Sequence, residues 1–132
     1  MFDSEDVAKR AEPITFHTVR TIGLKLQGAE DGTAYGSPAL KVNGHMFACM
    51  AINKSVEPDT LAVRVPFDQR TDLLTEAPET YYLTDHYIDY PIVLVRMTRI
   101  QRDALADLLR AAHHFVTTEK RPLRNTRRRR LR

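Results

Sequence analysis

With 132 residues, no Trp and a 42% hydrophobic composition, the chain is sized for one domain that buries roughly two-thirds of its unfolded surface without help from a disulfide or metal. The lone Cys49 fits a reducing cytoplasm, the acidic start Asp3, Glu5 and Asp6 reads against a secretory leader, and the apolar run 92–95 is too short to cross a bilayer. The net charge of +3 divides unequally: residues 120–132 hold eight basic and no acidic residues, which leaves 12 basic against 17 acidic in residues 1–119 and excludes a generally cationic body.

Residues 1–14 form a polar lead-in that ends at Pro13 and Ile14. Thr15 is a good helix N-cap, with Ile14 and Val19 placed as a hydrophobic staple, and Phe16, Val19, Ile22 and Leu26 follow at helical spacing until Gly28. Residues 27–37, rich in glycine and acid, read as a loop. Strands are predicted over 39–42 and 46–52. The Asn43-Gly44 pair between them is the strongest short-range hairpin signal, because both positions tolerate positive φ. The second of these strands is apolar on both faces and so is expected at the centre of a sheet. A third strand over 61–65 follows the turn at Glu57, Pro58 and Asp59. A short helix over 68–76 buries Leu73 and Leu74 and stops before Pro78, and a further strand covers 92–97. Thr98 caps a final helix with Gln101 in the capping-box position, and its apolar stripe is Ile100, Leu105, Leu108, Leu109, Ala112, Phe115 and Val116. This order predicts an α+β two-layer sandwich with a mostly antiparallel sheet. The expected domain is 15–119, followed by a flexible basic tail over 120–132.

Four of the five tyrosines, Tyr81, Tyr82, Tyr87 and Tyr90, crowd around Asp85 and His86 just before the strand at Ile92. Two readings are open. Tyr82, His86 and Tyr87 stack on bases or line a pocket, with Thr84 and Asp85 hydrogen-bonding a ligand. Alternatively, Asp85 orients His86 and the tyrosines pack at a sheet edge with wet hydroxyls. The ligand-pocket candidates are Tyr82, Thr84, Asp85 and His86. Catalytic residues are not expected: there is no nucleophile elbow, Cys49 lies among apolar residues, and adjacent Asp85 and His86 on an extended strand point to opposite faces. No cofactor is expected either, since no glycine-rich phosphate loop is present. No metal site is expected, because His113 and His114 diverge on a helix and His17 and His45 lack a ligand partner.

Several spaced motifs resemble the MmcQ/YjbR family of small bacterial proteins. They are Gly36-Ser37-Pro38, then 42–48 (Val-Asn-Gly-His-Met-Phe-Ala), then Tyr82-x-Thr84-Asp85-His86-Tyr87-x-x-Tyr90-Pro91, and finally Val93-Leu94-Val95-Arg96. The match runs from about residue 16 to 117. The resemblance implies a frataxin-like fold, a sheet with N- and C-terminal helices on one face. Members are often labelled DNA-binding by analogy to a double-wing arrangement, which implies a nucleic-acid-binding function. The arginine-rich end at 124–132 departs from the family's pattern.

The expected function is a non-catalytic nucleic-acid-binding module whose partner is DNA or another polyanion. Arg124, Arg127, Arg128, Arg129, Arg130 and Arg132 would neutralise phosphates and release counterions. Lys41, His45 and Lys54 on the hairpin, with Tyr82, His86 and Tyr87, would supply the contact surface. The alternative is a protein-interaction or small-ligand module using the Tyr/His surface. A block of like charge is also commonly no more than a solvated tail with incidental polyanion affinity. The expected state is a cytoplasmic monomer with no membrane partner.

Overall fold

Two consecutive two-residue turns organise the first half of the chain. The computed structural model describes residues 13–118. Helix α1 (Phe16–Gly23) leads into strands β1 (Ala29–Ala34), β2 (Ser37–Val42) and β3 (His45–Ala51), an antiparallel meander. Each turn holds both its residues at positive φ: Tyr35 at 54° and Gly36 at 75°, then Asn43 at 55° and Gly44 at 80°. This is the pattern of type I′ turns, whose twist matches that of the strands they join. The Asn43-Gly44 hairpin lies where it is expected from sequence. Strand β1 corrects the expected loop at 27–37. It pairs only with β2, and Glu30, Asp31 and Thr33 are exposed, so it lacks the apolar alternation that marks a half-buried strand. A tyrosine opening a left-handed turn is also an uncommon signal.

Strand β4 (Thr60–Arg64), helix α2 (Phe67–Glu76), the two-residue strand β5 (Tyr81–Tyr82), strand β6 (Ile92–Arg96) and helix α3 (Arg102–Thr118) complete the described chain. The six strands form one antiparallel sheet in the order β1-β2-β3-β4-β6-β5. With the three helices of the described residues, this is the expected α+β fold. No helix among the described residues is long and apolar enough to cross a membrane.

The sheet has two unlike faces. Against one, α1 and α3 bury Val19, Leu105, Leu108, Leu109 and Ala112 on Leu40, Val42, Phe47, Leu61, Val63, Val93 and Val95. Each of the Val, Leu and Phe side chains among them contributes on the order of 1.5–3 kcal/mol when fully buried. A β-bulge supplies the largest of them. Leu40 faces Ala48 and Lys41 faces Met46, so Phe47 is the extra residue, and Phe47 and Ala48 both join the helix-side core. The opposite face is floored by small residues, Ala39, Cys49, Ala51 and Ala62, beside Met46 and Leu94. Val56, Tyr82 and Tyr87 pack over it from two loops.

Two helix boundaries differ from expectation. Helix α1 ends at Gly23 rather than near Leu26, and Gly23 is buried so closely against Leu40 that an added Cβ would overlap Leu40 Cδ1. The first turn of α3 is set by Gln101, whose carbonyl accepts the Leu105 N–H at 2.9 Å, while Thr98 sits exposed in the preceding turn. The apolar stripe of α3 packs as its spacing predicts.

Candidate functional site

The segment 82–90 arches over the small-residue face and is held there by its own polar groups. The Tyr82 hydroxyl accepts the Glu57 N–H at 2.9 Å and lies 2.6 Å from Thr60 Oγ1. The Tyr87 hydroxyl accepts from Asn53 Nδ2 at 2.7 Å, and Ser55 Oγ lies 3.2 Å from Thr84 Oγ1. The loop after β3 is thereby laced to the aromatic segment. Burial raises the Tyr87 hydroxyl above the ordinary phenol pKa, opposed by its bond to Asn53. Asp85 and His86 are exposed; the His86 ring meets the Tyr87 ring edge-on at 4.8 Å, and no hydrogen bond joins His86 to Asp85.

Two arginines do most of the anchoring, and the sequence assigns neither of them a role. Arg70 of α2 is buried, and its guanidinium donates to the carbonyls of Tyr90 at 2.7 Å, Ile88 at 3.0 Å and Ile92 at 3.3 Å. Arg96 at the end of β6 pairs with both Glu57 carboxylate oxygens at 2.9 Å and donates to the carbonyls of Pro78 and Glu79. Its guanidinium also lies 4.4 Å above the Tyr82 ring. The hydrogen bond from Arg96 holds the Glu57 carboxyl below its usual range. The role of neither arginine is legible in the sequence, although Arg96 closes one of the family motifs, because each acts through carbonyls or a carboxylate that only the folded chain brings together.

A second constellation lies where β2 turns into β3. Lys41, paired across the sheet with Glu30 and Met46, shares the small-residue face, and His45 is exposed beside the Asn43-Gly44 turn. Helix α3 reaches the same end. His113 Nε2 lies 2.7 Å from the Gln27 carbonyl just before β1, and its ring meets the Phe47 ring edge-on at 5.6 Å. Lys54, in contrast, lies beyond the far end of β3, a strand spanning roughly 20 Å. The expected hairpin contacts therefore divide: Lys41 and His45 sit at one end, while Lys54 belongs with Thr84 and Tyr87 at the other. Arg124, Arg127–Arg130 and Arg132 lie outside the described residues.

Cys49 is buried in the floor, and desolvation pushes its thiol up to about 11, so it is not poised as a nucleophile. No group of three or more His, Cys, Asp or Glu side chains among the described residues is placed to hold a metal ion.

Comparison with known proteins agrees with this architecture. A crystal structure of the Deinococcus radiodurans protein DR2400, which carries a DUF419 domain, superposes with a TM-score of 0.65 at 19% identity over 84% of this chain and 83% of that one. At that identity the likeness concerns the fold. No curated protein matches the chain. The YjbR family model matches residues 24–115, from the end of α1 to the last turns of α3, and the chain belongs to the YjbR family.

Proposed function

We propose that this protein is a non-catalytic nucleic-acid-binding module in which residues 120–132 supply electrostatic affinity and the β2–β3 hairpin end supplies positioning contacts. The observation that carries this reading is the seat of α3. The His113 contacts with Gln27 and Phe47 direct the helix toward the end of the sheet that presents Lys41, the Asn43-Gly44 turn and His45. The chain then continues into eight basic residues with no acidic one. Such a block binds phosphates by releasing counterions, which gives steeply salt-dependent affinity with little sequence preference. The engaged hydroxyls of Tyr82 and Tyr87 favour a structural role for those side chains over base stacking.

Fluorescence anisotropy with short duplex and single-stranded DNA at two salt concentrations tests this. The full chain is expected to bind with a strong negative salt slope, and a chain ending at Glu119 to lose most of that affinity. Lys41→Ala in the full chain should reduce the salt slope by about 1, whereas His86→Ala should leave it unchanged. Equal binding by the two chain lengths would refute the role of the basic segment. Binding to polyglutamate as tight as to DNA would reassign the protein to acidic partners in general.

A further inference from the structure

Four arginines of the described chain are partly or fully buried, and three are partnered: Arg20 with Asp31, Arg70 with three carbonyls, and Arg96 with Glu57 and two carbonyls. The side chain of Arg64, the last residue of β4, has no hydrogen bond, ion pair or aromatic ring against it among the described residues. Its Nε is buried without a partner. Arg64 as a whole is only half-buried, but an Nε–H shielded from water without an acceptor is costly, and a guanidinium so placed is well suited to an anion that reaches its other donors. Burial accordingly lowers the Arg64 pKa from its ordinary value.

Its surroundings point to what is missing. Arg64 alternates with Ala62 along β4 and pairs with Ile92, so it belongs to the face opposite the helices. Cys49 and Tyr35 are its titratable neighbours there, and neither is a carboxylate. The one other buried side-chain atom without a partner among the described residues is Ser37 Oγ, and Ser37 is 2% exposed. Ser37 alternates with Ala39 on β2, which places it on this same face. Both orphaned polar groups thus lie on one side of the sheet, Ser37 level with Ala51 and Arg64 level with Phe47, with Cys49 and Ala62 between them. Tyr35, which is 87% exposed at the tip of the β1–β2 turn, stands free beside them.

We infer that this face is a binding site for a small molecule bearing an oxyanion, a carboxylate or a phosphate, with Arg64 as the anchor and Tyr35 as an aromatic wall. A planar guanidinium matches the two-oxygen edge of either group. The register sets Arg64 level with Phe47 across β3, at the Lys41 end of this face; the inference rests on the missing partner of Arg64 and not on nucleic-acid binding.

The test uses the full-length, 15N-labelled chain titrated at constant ionic strength with sodium phosphate and, separately, with succinate. Saturable shifts are expected at the Arg64 Nε–Hε signal and at the amides of Cys49 and Ala62, with loss of those shifts in Arg64→Met and partial return in Arg64→Lys. Responses of residues 120–132 to phosphate should be the same in all three proteins. A response to phosphate alone assigns a phosphate-bearing ligand, and one to succinate alone a carboxylate. Without added anion, the Tm of Arg64→Met should equal or exceed that of the parent, because a desolvated charge is removed. Absence of shifts at Arg64 with both anions, persistence of the same shifts in Arg64→Met, or a Tm loss in Arg64→Met that no anion affects would each overturn the inference.

Discussion

Arg64, Arg70 and Arg96 have the same side chain and opposite roles, and the difference lies in what the fold places around each. Arg70 is 8% exposed and satisfies three carbonyls of the aromatic segment. Replacing it with Met keeps the stem but leaves those acceptors without their donor, and urea denaturation should show a loss of about 2–4 kcal/mol. Cys49 provides a pH-dependent counterpart. Its thiol titrates near 11 in the fold against 9.0 when unperturbed, so between those values the folded state holds a proton that the unfolded state has released. Stability must therefore fall as pH rises through that window, by up to about 2–3 kcal/mol in total. Denaturation midpoints measured at pH 8 and pH 10.5 should differ more for the parent than for Cys49→Ala. Equal differences would remove Cys49 from the account. Burial of Tyr81 and Tyr87 acts in the same direction, so part of the alkaline loss should survive the substitution.

At the scale of elements, the short strand β5 and the arch after it depend on polar lacing more than on their own hydrogen-bond ladder. Only two residues of β5 pair with β6. The Tyr82 hydroxyl compensates by joining Thr60 and the Glu57 backbone, so Tyr82→Phe should cost about 1–2 kcal/mol. It should also speed amide hydrogen exchange at Val56 and Glu57 while leaving β2 and β3 protected. Unchanged exchange there would mean that Arg96 and its Glu57 pair hold the loop unaided. The elements differ likewise in how far they can be read from sequence. Asn43-Gly44 is legible because both residue types tolerate the required backbone. The strand β1 is not legible, because an edge position permits Glu30 and Asp31 where a central strand would demand apolar residues. The early end of α1 is equally hidden, since Gly23 is constrained by Leu40, a neighbour on a different element.

For the whole molecule, the consequential feature is that the sheet separates two chemistries. One face is an apolar core closed by α1 and α3, whereas the other is floored by small residues and carries both buried side-chain groups that lack a partner among the described residues. The hairpin end and the Lys54 end are separated by the length of β3, so the contact residues proposed from sequence do not form one continuous surface. Charge is divided as well, because the described residues 13–118 carry 10 basic against 12 acidic side chains and the excess of positive charge lies in 120–132. Arg64 and Lys41 share one face and one end of the sheet, so an electrostatic role for the basic segment and a ligand role for Arg64 are told apart by their separate signals, those of residues 120–132 and those of Arg64.

From the sequence alone come the α+β class, the Asn43-Gly44 hairpin, the apolar stripe of the last helix and the asymmetry of charge. All of these depend on local residue preferences, on spacing or on simple counting, which a linear chain displays directly. Only the tertiary structure decides that Tyr82 and Tyr87 lace two loops together, that Arg70 and Arg96 are satisfied and that Arg64 is not. Whether a polar group has a partner is settled by segments 17 to 39 residues apart in these cases, and no periodicity in the chain encodes which carbonyl or carboxylate will arrive beside it.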